Sequence, residues 1–441
     1  MKYQDVKGFR TLLPEIFSKY RYIDKKFADM VEGYGYEPIE TPAVEYAETL
    51  LAKGNLDLSQ VKELFLFKDH GGRDVGLRFD LTAPIARVIG ERYYEFKSKL
   101  PLRWYYFTRM WRYENPQKGR YREFWQFGIE LIGSDTAYAD SEVIEIADKL
   151  FKCLGLSNFK LFVSHRDILR GVLNAVKCTN IEECMRWIDK KGKIEDSTIL
   201  REVAKYVQST EIIEKILNFD LTDQQGLEKF LTEIRDLNDL TRQGITRIFS
   251  VKEILSSRDV KIMLDPSLAR GFDYYTGIIF EGYIFDGRKQ GGSLIGGGRY
   301  DSLIEIFGGE KTPGVGFAIG IDRLIDELDR QKLINLSKCK VHIIYDLSKK
   351  ESREYAYKIF KLLKDSGLIV TQTITEYNDF GKLLKSELRF ANNNLFQYVI
   401  IVDDNSIKNQ NIVIKDMNKG IQQEIQFESL LEFFLTKGKN L

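Results

Sequence analysis

Residues 268 to 283, LARGFDYYTGIIFEGY, place a permanent cation (Arg270), an acid (Asp273) and two adjacent phenols (Tyr274, Tyr275) at the mouth of a run that reads as a β-strand. Packing on opposite faces of that strand would account for the tyrosines, but it accounts less well for Arg270 beside Gly271. A second group lies in PLRWYYFTRMWRYENPQKGRYREFW, residues 101 to 125. Here Arg103, Arg109, Arg112, Lys118, Arg120 and Arg122 outnumber Glu114 and Glu123 and alternate with Trp and Tyr. Guanidinium groups pair bidentately with phosphate oxygens and aromatic rings offer stacking faces, so such a segment suits a phosphate chain and a base. A solvated hairpin with ordinary surface arginines would have the same composition.

Three further stretches carry polar groups at structurally marked positions. FAIGIDRL sets Arg323 just after an apolar strand, where an arginine is ordinarily a salt-bridged surface residue. RFDLTAPIARV sets Asp80 and Thr82 after a strand, where capping and turn roles are the default. QGGSLIGGGRYDSLIEIFGG is glycine-rich, and spacing alone favours structural turns. No GxxxxGK[ST] occurs, which excludes a P-loop, and GVGFAIG misses the dinucleotide-binding spacing by one residue.

The elements that must position these groups follow from periodicity. Pro14 opens a helix whose apolar residues Ile16, Phe17, Tyr20, Ile23, Phe27, Met30 and Val31 recur at helical steps, and Gly33 and Gly35 end it. Strands are expected at Glu63 to Lys68, Val75 to Phe79 and Leu102 to Arg112. The last returns through NPQKGR as Tyr121 to Ile132, a long antiparallel hairpin. A helix from about Asp140 to Cys153 and a strand from Phe159 to Val163 follow. Residues 166 to 257 lack proline and are helical in short pieces, which reads as an insert. Strand sequence resumes at Val260 to Leu264 and runs through the tyrosine pair to Phe285. Beyond residues 331–338, a polar linker, strands and helices alternate from Lys340 to Val402, and an Asn418 to Gly420 hairpin and a last helix complete a separate α/β unit with a largely parallel sheet.

Composition excludes several classes. The chain has 441 residues, long for one domain, with 66 Lys plus Arg against 65 Asp plus Glu, so no global charge excess marks a polyanion partner. Four cysteines without CxxC spacing and three scattered histidines argue against a disulfide framework or a structural metal. MKYQDVKGFRTLLPE has no signal-type apolar core and the apolar runs are strand-sized, so a cytoplasmic protein with no membrane segment is expected.

Taken together the stretches resemble a known family. LARGFDYYTGIIFE resembles the signature that separates histidyl-tRNA synthetases from other class II synthetases, and GGGRYD is similar to its second family-specific element. YEPIETP resembles class II motif 1, FTRMWRYENPQKGRYREFWQFGIELIG motif 2, and PGVGFAIGIDRL motif 3, in the expected order over nearly the whole chain. The resemblance implies an α+β catalytic domain built on an antiparallel class II synthetase sheet, residues 1–330, with a helical insert at about 166–257. A C-terminal α/β anticodon-binding domain, residues 339–441, is implied as well.

It also implies roles. Arg112 would hold the ATP α-phosphate, Glu114 the adenine side, and Arg120 and Arg323 the outer phosphates. Arg270 would lie against the α-phosphate and the histidine carboxylate, and with Arg112 it is the expected catalytic pair. Asp80, Thr82 and Gln126 would bind the histidine α-amino and carboxylate end, while Glu130, Tyr274 and Tyr275 would line the imidazole pocket. Asp80 is one methylene shorter than the glutamate many members carry. The implied activity joins L-histidine to tRNA(His) at the expense of ATP, with Mg2+ on the ATP phosphates and a homodimeric assembly. Two alternatives share the fold: the histidyl-tRNA synthetase-like regulatory subunit of ATP phosphoribosyltransferase, which generally lacks the anticodon module, and a scaffold protein.

Overall fold

The computed structural model describes residues 3–52, 62–117, 119–192, 194–233, 237–269, 274–336, 339–377 and 379–438. The chain divides into two compact units, Met1–Ile334 and Asn335–Leu441.

The first unit contains strands β1 (Glu37–Pro38), β2 (Val44–Tyr46), β3 (Leu66–Lys68), β4 (Asp74–Leu77), β5 (Leu102–Trp111), β6 (Glu123–Ile132), β7 (Phe159–His165), β8 (Ile262–Leu264), β9 (Ile278–Phe285), β10 (Lys289–Arg299) and β11 (Gly314–Gly320). Eight of them form one sheet in the order β1-β5-β6-β11-β10-β9-β7-β8, and β2, β4 and β3 form a small second one. Only the outermost pairings of the large sheet, β1 with β5 and β7 with β8, are parallel. The long hairpin is confirmed as β5 and β6, paired from Leu102↔Ile132 to Trp111↔Glu123.

Strand alternation separates the two faces of this sheet. Phe127, Ile129 and Leu131 of β6 and Val315, Phe317 and Ile319 of β11 point into the main apolar core. Three helices cover that face: Pro14–Glu32, Ala137–Cys153 and Asp239–Ser256. The first buries Tyr20, Ile23, Phe27 and Val31 as one stripe, with Phe27 edge-on to Phe127 at 5.0 Å between ring centroids. Proline stands at its first turn, and the chain leaves it through Gly35 at φ +81°, a left-handed conformation that glycine adopts without strain. The second helix starts at Thr136, whose hydroxyl accepts from the Ala139 N–H at 3.2 Å, a cap that contributes about 1 kcal/mol.

The stretch 166–257 is helical as expected but does not pack as one body. Ile168 and Val172 of Arg166–Ala175 and most of the apolar face of Asp239–Ser256 belong to the main core. A separate apolar cluster unites Leu169, Leu173, Cys184, Met185, Ile188 and Ile199 with their neighbours.

His165 caps the first of these helices by accepting the Asp167 N–H on Nδ1 at 3.3 Å. Burial pushes its pKa down to about 4; Asp167 opposes the shift, and Arg247 and Arg299 reinforce it. Below pH ~6.5 the unfolded chain therefore takes up a proton that the folded chain refuses, and stability falls as pH drops toward 4. Between pH 7 and 5 this single group should cost about 2 kcal/mol. Urea unfolding of His165→Asn, which retains a capping oxygen, should show a pH slope shallower by that amount; equal slopes would contradict it.

The second unit holds β12 (Lys340–Tyr345), β13 (Ile369–Gln372), β14 (Tyr398–Val402), β15 (Asn411–Asp416) and β16 (Gln422–Gln426), in the order β13-β12-β14-β15-β16. Its sheet is mixed rather than largely parallel: β12 pairs parallel with β13 and β14, whereas β14–β15 and β15–β16 are antiparallel. Helix crossovers supply the parallel part, and the hairpin around Gly420 adds the rest. Tyr398, Ile400 and Val402 face one apolar cluster, and Val399 and Ile401 face another, which explains why β14 is apolar throughout.

Candidate active site

The face of the large sheet opposite the three helices floors a cavity of about 1450 Å³. Register decides which side chains reach it. Gln126, Gly128 and Glu130 alternate on β6, and opposite them on β11 lie Gly320, Ala318 and Gly316. Glutamate and glutamine thus stand beside residues with little or no side chain, so the floor remains open above them.

Close packing beneath the site depends on glycine. A Cβ on Gly316 would lie 2.7 Å from Cδ of Glu130 and would strike the Ile129 carbonyl. A Cβ on Gly298 would lie 2.7 Å from both the Tyr275 ring and the Ile278 carbonyl. Gly296, Gly297 and Gly298 lie within β10, not at a turn, so the expectation of structural turns fails for this triplet. Glycine serves there as a residue that lets aromatic and carboxylate groups approach the backbone.

The acid at the centre, Glu130, is 1% exposed. Its Oε1 accepts from the Thr82 hydroxyl at 2.8 Å and its Oε2 from the Tyr300 hydroxyl. Burial, followed by the charge of Glu130, raises the Tyr300 pKa well above the ordinary phenol value, so Tyr300 remains a donor. Helix Thr82–Glu91 has Leu81 as its N-cap and no side-chain cap bond; Thr82 is committed to Glu130 and the default capping role does not hold. Asp80 is buried two residues after Arg78, which anchors this turn through the Glu40 carboxylate and the Thr108 hydroxyl, both at 2.5 Å.

Tyr274 and Tyr275 precede β9, which begins at Ile278, so the strand does not run through them. Their hydroxyls are 3.4 Å apart and their ring centroids 4.5 Å, which rules out opposite faces of one strand. Tyr274 also meets Tyr300 edge-on at 6.2 Å. In the same wall, the Tyr106 hydroxyl and Gln126 Oε1 are buried without a hydrogen-bonding partner among the described residues. Buried polar atoms of this kind are costly unless a polar ligand meets them.

Cations gather at the other end. Arg112 donates from Nε and Nη2 to the Phe79 carbonyl at 3.3 and 3.2 Å and lies 5.3 Å from the Phe124 ring centre. Glu114 stands 3.9 Å from Arg112 and 3.7 Å from Arg120. Arg323, at the start of helix Ile321–Arg330, donates to the carbonyls of Gly119 at 3.2 Å and Ser293 at 3.1 Å. It is half-buried and tied to main chain, and among the described residues it has no salt bridge, so the surface-pairing default does not describe it. Burial, then Arg120, lowers its pKa, with Glu114 opposing and Arg112 adding to the effect. Three guanidinium groups around one carboxylate leave a net positive corner suited to a polyanion.

The hairpin cations divide accordingly. Arg112 and Arg120 line the cavity, while Arg103 pairs with Glu142 at 2.8 Å, Arg109 with Glu123 at 3.5 Å, and Arg122 lies over Tyr113 at 3.9 Å. Lys118 and Arg270 lie outside the described residues. Asp80, Thr82, Arg112, Glu114, Arg120, Gln126, Glu130, Tyr274, Tyr275 and Arg323 all line this one cavity. Tyr106 and Tyr300 join them without having been singled out in the sequence; Tyr300 had a signal in GGGRYD, and Tyr106 only its place among the aromatics of residues 101 to 125.

Comparison with known proteins identifies the family. Residues 8–324 match the family model described as histidyl-tRNA synthetase, and residues 340–437 match that described as anticodon binding domain. The family so matched is one of aminoacyl-tRNA ligases. The histidine–tRNA ligase of Pyrococcus furiosus is 35% identical over 433 residues, covering 97% of this chain and 98% of the relative. That of Methanocaldococcus jannaschii is 37% identical over 440 residues, covering 98% and 99%. The crystal structure of histidyl-tRNA synthetase from Nostoc sp. shares the fold, with a TM-score of 0.79 and 24% identity over 99% of this chain and 100% of that one. The chain belongs to the histidyl-tRNA synthetase family.

Proposed function

We propose that the chain is a histidine–tRNA ligase, which activates L-histidine with ATP to histidyl-adenylate and pyrophosphate and then transfers histidine to the 3′ end of tRNA(His). One observation carries this reading: three phosphate-type arginines and an acid–phenol cluster fitted to imidazole share a single cavity. Imidazole presents one donor and one acceptor, so Glu130 with Tyr274 and Tyr275 can read both nitrogens. Asp80, Thr82 and Gln126 would take the α-amino and carboxylate end. Arg112 would hold the α-phosphate, Glu114 the adenine side, and Arg120 and Arg323 the outer phosphates, with Arg270 against the α-phosphate and the substrate carboxylate.

The chemistry follows from these positions. The histidine carboxylate attacks the α-phosphorus and pyrophosphate leaves, so negative charge builds on the α-phosphoryl oxygens as the new bond forms. Guanidinium groups already held by main-chain carbonyls need little reorganisation to meet that charge. Magnesium would travel on the nucleotide phosphates and offset charge on the departing pyrophosphate.

Homodimerisation rests on the resemblance of motif 1, and the exposed apolar Val44, Tyr46, Leu66 and Phe67 on the small sheet support it. A cytoplasmic location is proposed on the same footing; no described helix is long and apolar enough to cross a membrane. The regulatory-subunit alternative is not favoured, since relatives matching nearly the full chain are named as ligases.

Histidine-dependent ATP–pyrophosphate exchange, with the other amino acids in parallel, tests the proposal. Exchange with histidine alone is expected; histidine binding without exchange would bring the regulatory reading forward. Glu130→Gln should raise the histidine KM about 10- to 100-fold, the equivalent of one charged hydrogen bond, and leave the ATP KM unchanged. An unaltered histidine KM would place imidazole recognition elsewhere.

A further inference from the structure

We infer that the helical segment 181–191 positions the Tyr274–Tyr275 pair that reads the amino acid, with Lys191 and Glu182 as the positioning residues; this rests on the ligase reading of the site. Ser267 and Ala269 ahead of the pair and the main chain of Tyr275 are each held. Lys191 Nζ donates to the Ser267 hydroxyl at 2.9 Å, and Ser267 donates to Asp265 Oδ1 at 2.5 Å. Asp265, 1% exposed, takes Lys289 Nζ of β10 on its other oxygen at 2.6 Å. Two residues past Ser267, Ala269 is buried in the apolar cluster that Cys184, Met185 and Ile188 build in the helical segment. The main-chain carbonyl of Tyr275 accepts from Arg166 Nη1 at 2.7 Å. Arg166 Nη2 in turn meets Glu182 Oε2 at 3.1 Å, and the other Glu182 oxygen meets Arg170.

Segment 181–191 thus reaches Ser267 directly through Lys191, Ala269 through its apolar face, and the Tyr275 carbonyl at one remove, through the Glu182–Arg166 pair. Withdrawing a lysine ammonium from water to meet a serine hydroxyl is a poor route to stability alone, because desolvation offsets much of the gain. Lys191 also lines the cavity, as do Ser267, Ala269 and Tyr275. The phosphate-side arginines, by contrast, are carried by the β5–β6 hairpin and by helix Ile321–Arg330. A shift of segment 181–191 should therefore act on histidine binding and, through Arg270 beside Ala269, on kcat, while the outer-phosphate contacts that set the ATP KM are spared.

Steady-state exchange kinetics and calorimetric titration with histidine, on the full chain, separate the outcomes. Lys191→Met should raise the histidine KM and Kd tenfold or more, keep the ATP KM within twofold, and be largely rescued by Lys191→Arg. Glu182→Gln should raise the same two histidine constants several-fold and carries the test if Lys191→Met fails to fold. Unchanged histidine constants, a parallel rise in the ATP KM, or failure of Lys191→Arg to rescue would overturn the inference. If the wild-type chain binds histidine but supports no exchange, the ligase reading fails, and the Kd ratio of variant to wild type still decides the positioning role.

Discussion

Replacing Arg112 with alanine should lower histidine-dependent pyrophosphate exchange by two to three orders of magnitude, with kcat falling much more than the ATP KM rises. The guanidinium is oriented before substrate arrives, since Nε and Nη2 are engaged by the Phe79 carbonyl and the plane lies near the Phe124 ring. A donor fixed in advance at a developing oxyanion contributes about 3–4 kcal/mol to the transition state, far beyond its share in ground-state binding. Lysine should not substitute. Its single ammonium cannot hold the Phe79 carbonyl and a phosphate oxygen in one plane. The side chain is about a quarter exposed, so the folded state should tolerate the loss and the kinetic effect should be separable from unfolding. Exchange within threefold of wild type would remove Arg112 from the reaction.

Gly316→Ala carries the second large effect, and here the cause is steric. The added methyl would sit 2.7 Å from Cδ of Glu130 and strike the Ile129 carbonyl, which belongs to the paired strand and cannot rotate aside. Either Glu130 leaves Thr82 and Tyr300 or β6 and β11 move apart. Overpacking of this kind costs about 1–3 kcal/mol of stability, and displacement of the central acid should raise the histidine KM about 100-fold. Gly320→Ala provides the stability control: it lies on the same strand and face, yet a Cβ there meets nothing within 4 Å. Its unfolding midpoint should match wild type, while that of Gly316→Ala should fall. Equal midpoints and an unchanged histidine KM in Gly316→Ala would show that the β6–β11 contact yields more than the geometry allows.

Much of the architecture was legible because burial imposes a period on sequence. The helix opened by Pro14, the β5–β6 hairpin and the strands Lys340–Tyr345 and Tyr398–Val402 each announce themselves by apolar spacing or by turn residues. The glycine triplet of β10 does not. A residue without a side chain leaves no periodic trace, so its position in a strand was hidden until Tyr275, Phe280 and the β11 backbone were seen pressing on it. Thr82 and Arg323 misled for a related reason. Their default local roles, capping and surface pairing, are sequence-near, whereas their actual partners, Glu130 and the carbonyls of Gly119 and Ser293, are 48, 204 and 30 residues away.

The sequence by itself determined the family and the chemical inventory, because ordered motifs such as LARGFDYYTGIIFE and FTRMWRYENPQKGR carry the reactive residue types contiguously and their order survives in the linear chain. Only the tertiary structure decided which members of that inventory work together. Strand parity sends Gln126 and Glu130 to the cavity and Phe127 and Ile129 to the core, and of the hairpin's described cations it brings Arg112 and Arg120 to the site while Arg103 and Arg109 pair elsewhere. The bonds of Lys191 to Ser267 and of Arg166 to the Tyr275 carbonyl likewise join residues separated by 76 and 109 positions. Long-range register and packing follow from closing one sheet over one core, a condition that no local window of sequence contains.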